Sequence, residues 1–302
     1  MQTNWLQRPR QWLRARVDRT FGRGKELLRY RWCQLTFPLP VTGAFAVFKL
    51  AARSRRPWPS YMAYGREVIG VPPAQLRQWY LDSWWGTQAN AAVHNRLQFP
   101  EREAEVMRLV EPVDWAPLDA ALARGRGVLV AVSHWGVPRV LSVLLAQRGI
   151  TPQRVAYWTR YSPETTDFSH RGTPGGYTRA YLQGFQHLRN GGVVIISPDG
   201  PLFRESIEER FFNRPCQVSL AGAALARITG AVTFHQMAVW EGTRIRLQFD
   251  GPWLPEDGDA NAVDRRWMRR YLDWLERMVC AHPRATRFDQ LLPYVDLSLS
   301  AR

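Results

Sequence analysis

The sequence GVLVAVSHWGVP occupies residues 127–138 of a chain of 302 residues. Its first six residues are apolar and rich in Val, and this length and composition predict a β-strand that is buried on both faces. Pro138 stands at the first position of a helix predicted over 138–148, where proline is tolerated because the first helical N–H needs no partner within the helix. A strand followed at once by a helix is typical of a parallel sheet.

Similar segments follow along the chain. Strands are predicted at 155–159, 193–197 and 232–239 and at the alternating Ile245, Leu247 and Phe249, and helices at 118–124, 177–189 and 218–229 and over Trp267–Met278. This alternation predicts an α/β fold with a mostly parallel central sheet flanked by helices, its core spanning about residues 110–290. Ligands of such sheets bind at the carboxyl ends of the strands.

The N-terminal region has a different character. Residues 1–31 contain nine Arg or Lys side chains against two acidic ones. At 100° per residue, Leu6, Leu13, Val17 and Phe21 share a face opposite several of the arginines, which is the pattern of an amphipathic helix at an anionic membrane surface. An ordinary surface helix packed on its own domain fits the same pattern.

Residues 35–52 are apolar but interrupted by Pro38, Pro40 and Gly43. A membrane span needs about 20 predominantly apolar residues, so a shallow or re-entrant membrane contact is expected here instead. Residues 1–55 are therefore predicted to form a basic, helical, membrane-associating region. Residues 56–302 are predicted to form a single α/β domain.

The charge balance restricts the kind of partner. The chain has 41 Lys and Arg against 26 Asp and Glu, a formal net charge of +15, and Lys occurs only at 25 and 49. Arginine pairs bidentately with phosphate and carboxylate, so nucleic acid, anionic lipid and an acidic carrier protein are all candidates; a base composition that favours Arg codons is the alternative explanation. The three cysteines have no C-x-x-C spacing, which argues against a disulfide scaffold or a cysteine zinc site, and no metal is expected.

Two polar side chains follow predicted strands. His134 comes two residues after the first strand and just before a helix N-terminus, whose dipole disfavours imidazolium and so suits a neutral general base. Asp199 follows the strand at 193–197. If these two strands are neighbours, both side chains point into one crevice. The Gly-rich stretch 169–176, which contains Arg171, lies between them in the sequence.

The order of these motifs, continued by Phe211-Phe212-Asn213-Arg214-Pro215 and by SLAGAALARITGAV over 219–232, resembles the late acyltransferases of lipid A biosynthesis. These lauroyl and myristoyl transferases have a lysophospholipid-acyltransferase-like fold, and the resemblance covers about residues 60–290. By position, His134 corresponds to the catalytic base of the family, Arg171 to its loop arginine and Asp199 to the aspartate after the later strand.

The resemblance implies transfer of an acyl group from a thioester, carried by acyl carrier protein or coenzyme A, to a hydroxyl or amine of a lipid or secondary-metabolite acceptor. It implies no bound cofactor. It also implies peripheral attachment to the cytoplasmic face of a bacterial inner membrane. Arg139, Arg171 and Trp135 are predicted to bind the donor or acceptor.

One departure from the family pattern concerns the acid that forms a dyad with the histidine. The family has Asp or Glu five positions after the base, where this chain has Arg139, and no acidic residue occurs between Asp119 and Glu164. Three interpretations follow. A distant carboxylate such as Asp199, Glu205 or Asp167 replaces the missing one; the acceptor is an amine that needs less base assistance; or the protein is a non-catalytic relative that binds acyl chains or a carrier protein. A nucleic-acid-binding protein is a further class, but the sequence contains no recognisable motif for it.

Overall fold

The computed structural model of the chain describes residues 35–54, 56–155, 176–198 and 207–286. The helices in these ranges are α1 (Val41–Arg53), α2 (Pro59–Tyr64), α3 (Pro73–Arg96), α4 (Pro100–Met107), α5 (Ala116–Ala123), α6 (Arg139–Gln147), α7 (Gly176–Arg189), α8 (Ala221–Thr229) and α9 (Ala260–Ala281). The strands are β1 (Val128–Val132), β2 (Gln153–Val155), β3 (Val193–Ile196), β4 (Ile207–Phe211), β5 (Arg214–Val218), β6 (Val232–Glu241) and β7 (Arg244–Trp253). A π-helical turn spans Gly65–Ile69 and a 3-10 turn spans Pro283–Ala285.

The central sheet has the strand order β2-β3-β1-β6-β7. Strand β1 pairs in parallel with β3 on one side and β6 on the other, so that Val130 lies opposite Ile195 and Phe234. Only β7, which forms a hairpin with β6, runs antiparallel to its neighbour. All five residues of β1 are buried. The predicted α/β fold with a mostly parallel central sheet and flanking helices is therefore confirmed for the described residues.

The two faces of the sheet have separate apolar cores. Side chains of successive strand residues point to opposite faces. Val128, Val130 and Val132 pack with α1, α5 and α6, whereas Leu129 and Ala131 pack with α8 and α9. Helix α3 contributes to both cores: its first turns join the α9 side and its later turns join the α1 side.

The hairpin of β4 and β5 differs from the sequence prediction. The predicted helix over 218–229 begins only at Ala221, because Arg214–Val218 pair with Ile207–Phe211. Phe212 and Asn213 form the turn with φ of 49° and 57°. Positive φ at both central residues is the geometry of the two-residue hairpin turn, which asparagine tolerates and phenylalanine rarely adopts. The Phe-Phe-Asn-Arg-Pro motif thus marks a hairpin turn.

The apolar side of helix α1 packs against the rest of the protein. Val41, Ala44, Phe45 and Phe48 are buried, and the ring of Phe45 lies 5.4 Å from that of Trp85 on α3. No helix in the described ranges combines the length and the apolar character that crossing a membrane requires. The predicted amphipathic helix within residues 1–31 lies outside the described residues, and the division at residue 55 stays a prediction.

The chain entering α1 is fixed by Arg96, at the end of α3. Its guanidinium is fully buried and donates hydrogen bonds to the carbonyl oxygens of Thr36 and Leu39, at 2.9 and 2.8 Å. A buried guanidinium left without hydrogen-bond acceptors would destabilise the fold by roughly several kcal/mol. These bonds therefore favour one position of residues 36–39 on α3. The start of α1 is thereby fixed to α3.

Candidate functional site

His134 lies half-buried in the loop of residues 133–137, between the carboxyl end of β1 and α6. Backbone hydrogen bonds fix this loop on two sides. Ser133 and Val137 donate to the carbonyl oxygens of Gln236 and Ala238 on β6, at 3.3 and 3.2 Å, and Gly136 donates to that of Ala285 in the 3-10 turn, at 3.0 Å. The histidine therefore sits on a rigid support at the carboxyl edge of the sheet.

The loop depends on glycine at position 136. Gly136 has φ +68°, and a Cβ atom there would lie 2.0 Å from the carbonyl oxygen of Ala238. Both the backbone conformation and the close approach to β6 exclude a larger side chain. The Ser-His-Trp-Gly stretch is thus a tight turn that β6 supports from beneath.

Arg139 is the first residue of α6 and is half-buried. The helix begins one residue later than predicted, and Pro138 precedes it. Arg154 on β2 stabilises this end, since its guanidinium donates to Ser142 Oγ at 3.2 Å and to the carbonyl oxygen of Pro138 at 3.5 Å. A helix N-terminus carries partial positive charge, so it and Arg139 together make the surroundings of His134 favourable for anions.

Strand β3, which precedes the second candidate residue, Asp199, lies next to β1. Ile196, the last residue of β3, pairs with Ala131, so the chain leaves β3 at the same edge of the sheet as His134. Asp199 and Arg171 lie outside the described residues. Their meeting with His134 in one crevice therefore stays a prediction.

Two further side chains near this edge belong to the core. Trp135 is 1% exposed, and its ring lies 5.8 Å from that of Phe211; its predicted contact with substrate stays a prediction. Cys216 is buried on β5, where burial raises the pKa of its thiol to about 12. A thiol protonated at neutral pH is no nucleophile. The described residues contain no cluster of three or more His, Cys, Asp or Glu that could hold a metal.

A buried histidine pairs with a carboxylate elsewhere in the sheet. His235 on β6 is opposite Asp250 on β7, with Nδ1 3.3 Å from Oδ2. Burial lowers the pKa of the His235 imidazole, and the close contact with His235 lowers the pKa of the Asp250 carboxyl. This arrangement corresponds to a neutral imidazole beside an ionised carboxylate.

The His235–Asp250 pair has a structural role. His235 is fully buried beneath α9, and its ring lies 5.3–5.5 Å from those of Trp267, Tyr271 and Trp274. The imidazole is therefore shielded from solvent. Sequence reasoning missed the pair, although counting seven residues outward from each of the two turn residues, Gly242 and Thr243, leads to it.

No family model matches the chain. Phosphatidylinositol mannoside acyltransferases from two strains of Mycobacterium tuberculosis are 29% identical to it over 253 and 250 residues. These alignments cover 78% of this chain and 77% of each relative. The chain is a distant homologue of these two proteins. This relationship agrees with the acyltransferase family that the motifs resemble.

The docking of the His134 loop on β6 predicts that alanine at two glycine positions destabilises the fold to different extents. Gly125 has a positive φ like Gly136, but a Cβ added there would have no atom within 4 Å. We therefore expect Gly125→Ala to lower the free energy of unfolding by only about 1–2 kcal/mol, the cost of the backbone conformation. Gly136→Ala should cost about 1–3 kcal/mol more, because its Cβ meets the Ala238 carbonyl. Urea unfolding of both variants measures this, and equal losses would contradict the docking of the loop on β6.

The buried His235 predicts acid sensitivity of the fold. Because its pKa is lowered in the folded state, the unfolded chain binds the extra proton first, and the free energy of unfolding falls as pH drops below about 6.5. The lowered pKa of Asp250 acts in the same direction but only near pH 4 and below. Urea unfolding at pH 7.5 and 5.0 should show a smaller loss for His235→Phe than for wild type. His94→Gln, at an exposed histidine, should keep the wild-type loss, and an unchanged loss in His235→Phe would refute this origin.

Proposed function

We propose that this protein transfers an acyl group from a thioester donor to a hydroxyl or amine of a lipid acceptor, with His134 as the general base. The observation that carries the proposal is the homology, over 78% of the chain, to proteins named phosphatidylinositol mannoside acyltransferase. The position of His134 at the carboxyl edge of a parallel sheet supports it, since ligands of such sheets bind at that edge.

In the proposed reaction the imidazole of His134 accepts the proton of the acceptor O–H or N–H as that atom attacks the thioester carbonyl carbon. The C–S bond breaks, the acyl group passes to the acceptor, and the sulfur leaves as a thiol after taking the proton back from the imidazolium. The N-terminus of α6 and Arg139 favour the neutral imidazole that a base requires.

The donor is a thioester of acyl carrier protein or coenzyme A, and the protein itself holds no cofactor. Both donors have phosphate groups. Arg139, with Arg171 from outside the described residues, would bind anionic groups of the donor or acceptor, because guanidinium pairs strongly with phosphate.

The arginine at position 139 also supports a second candidate function. A carboxylate behind a catalytic histidine fixes its tautomer and orientation, and its loss costs about 10⁴ in rate in serine proteases. A general base acting by itself still contributes about 10²-fold, so turnover remains possible. A carboxylate from Asp199, Glu205 or Asp167, or an amine acceptor, would compensate. Without either, the protein is a relative that binds acyl chains or a carrier protein.

We further propose that the protein is peripheral on the cytoplasmic face of the inner membrane. The basic residues of 1–31 support this, since each Arg or Lys near an anionic surface contributes about 1 kcal/mol. Leu35 and Leu50, at 72% and 68% exposure, are the two most exposed large apolar side chains in the described ranges. Both lie at or next to α1 and could enter the headgroup region.

Replacing the proposed base tests the reaction. We expect His134→Ala to lower kcat at least about 100-fold with labelled acyl carrier protein and a panel of hydroxyl and amine lipids. His94→Ala, at an exposed histidine on α3, should keep wild-type activity. Full activity in His134→Ala would place the site elsewhere. An inert wild type together with hydroxyl acylation by Arg139→Glu would identify the natural protein as a binding relative.

Charge reversal in the N-terminal segment tests membrane attachment. We expect the full-length double variant Arg16→Glu/Arg19→Glu to bind anionic vesicles about 30-fold or more weakly, since two surface arginines contribute about 2 kcal/mol. The control Arg124→Glu/Arg126→Glu makes the same change in net charge in the exposed loop before β1. Vesicle pelleting measures both, and equal weakening would show that net charge alone holds the protein to the membrane.

A further inference from the structure

A cleft of about 580 Å³ opens between α1, α3 and the turn that joins β6 to β7. We refer to it as the α1–α3 cleft. Its lining includes the apolar residues Phe45, Ala46, Leu81 and Trp85. The volume falls within the range of about 300–1,000 Å³ that is typical of small-molecule sites.

The floor of the α1–α3 cleft is rigid and aromatic. The rings of Phe45 and Trp85 meet edge to face at 5.4 Å, and both contact the ring of Trp240, at 5.2 and 5.3 Å. Trp240 is itself fixed by a 2.6 Å bond from its indole N–H to Asn90 Oδ1. A preformed apolar surface of this kind accommodates an alkyl chain without reorganisation.

Two cations stand on the α1 side of the cleft. Lys49 and Arg53 are exposed and one helical turn apart, and neither forms an ion pair with any other described residue. Like charges at this spacing repel each other, and an anion between them removes that repulsion. A tetrahedral phosphate offers enough oxygens for both the planar fork of an arginine and a lysine ammonium.

The third cation of the cleft is already neutralised. Arg284 donates to Asp82 Oδ1 at 2.8 Å and to the carbonyl oxygen of Gly242 at 2.7 Å, and its guanidinium lies over the ring of Trp85 at 4.9 Å. With Lys49 and Arg53, the charges of the lining are three positive and one negative, a net of +2. An apolar cleft with this excess positive charge complements an anionic amphiphile.

We propose that the α1–α3 cleft binds a lipid with a phosphate-bearing, anionic headgroup. Its alkyl chain lies along Phe45, Leu81 and Trp85, and its phosphate lies between Lys49 and Arg53. Arg284 bounds the cleft next to Ala285, the residue whose carbonyl oxygen accepts the hydrogen bond from Gly136 in the His134 loop. The α1–α3 cleft is therefore bounded by the same 3-10 turn that supports this loop. Binding there does not require the acyl transfer proposed above.

Equilibrium dialysis of the full chain tests this site, with radiolabelled lysophosphatidylglycerol of one 14-carbon chain kept below its critical micelle concentration. Monomeric lipid keeps binding in the cleft separate from attachment to a membrane surface. We expect saturable binding to one site and at least 10-fold weaker binding of lysophosphatidylcholine with the same chain, whose headgroup has no net charge.

Three variants identify the cleft as the location. Lys49→Glu/Arg53→Glu should weaken binding of lysophosphatidylglycerol at least 10-fold and remove the preference between the two headgroups. Ala46→Trp, at an exposed position of α1, should fill the cleft and abolish binding of both lipids. Arg124→Glu/Arg126→Glu, with the same change in net charge, should bind as wild type does. All these side chains are exposed, and circular dichroism verifies that each variant is folded.

Equal affinity for the two headgroups, or unchanged binding in Lys49→Glu/Arg53→Glu, overturns the proposal. Complete competition by millimolar inorganic phosphate also overturns it, because the apolar floor would then contribute nothing. A protein that transfers acyl groups but fails to bind lysophosphatidylglycerol refutes the cleft and leaves the proposed reaction standing. Binding without any transfer supports the cleft and refutes the reaction.

Discussion

The parallel pairing of β1 on both of its sides is the constraint on which the rest of the molecule depends. Because β3 and β6 run in the same direction as β1, the carboxyl ends of β1 and β3 meet at one edge, and β6 continues past it. The loop of His134 leaves β1 there and lies along the extra length of β6, which supplies the carbonyl oxygens of Gln236 and Ala238. A strand with every residue buried fixes this edge rigidly, as a site for chemistry requires.

Support for the His134 loop comes from residues far away in the sequence. The 3-10 turn that binds Gly136 is itself held by α3, since Ser83 Oγ donates to the carbonyl oxygen of Thr286 at 2.9 Å and Arg284 pairs with Asp82. This turn approaches α3 so closely that a Cβ at Gly86 would lie 1.8 Å from the carbonyl oxygen of Arg284. Helix α3 therefore packs against α1, forms one wall of the α1–α3 cleft and holds the 3-10 turn behind the candidate base.

The resemblance of the motifs leads us to expect an acidic residue five positions after His134. The position of the expected acid is taken by Arg139, at a helix N-terminus that already favours anions. The half-buried carboxylate that pairs with His235 comes from the neighbouring strand β7, and the His235 ring packs against α9. Together with the cations of α1 and of residues 1–31, Arg139 is the basis for proposing partners that carry phosphate or carboxylate groups.

The local pattern of residues predicted β1, β3, β6 and β7 of the central sheet. The strand predicted at 155–159 is found at Gln153–Val155, and residues 156–159 lie outside the described residues. An apolar, Val-rich run such as 128–132 is stable only where both faces are covered, and the strand–helix order then requires parallel neighbours. The same pattern reports that a side chain is buried but not what covers it. The apolar face of α1 could have met a membrane, and only the folded chain shows that α3 covers it. The His235–Asp250 pair, the hairpin turn at Phe212 and Asn213 and the α1–α3 cleft likewise depend on strand register and helix docking. These are contacts between distant segments, which periodicity along one segment does not encode.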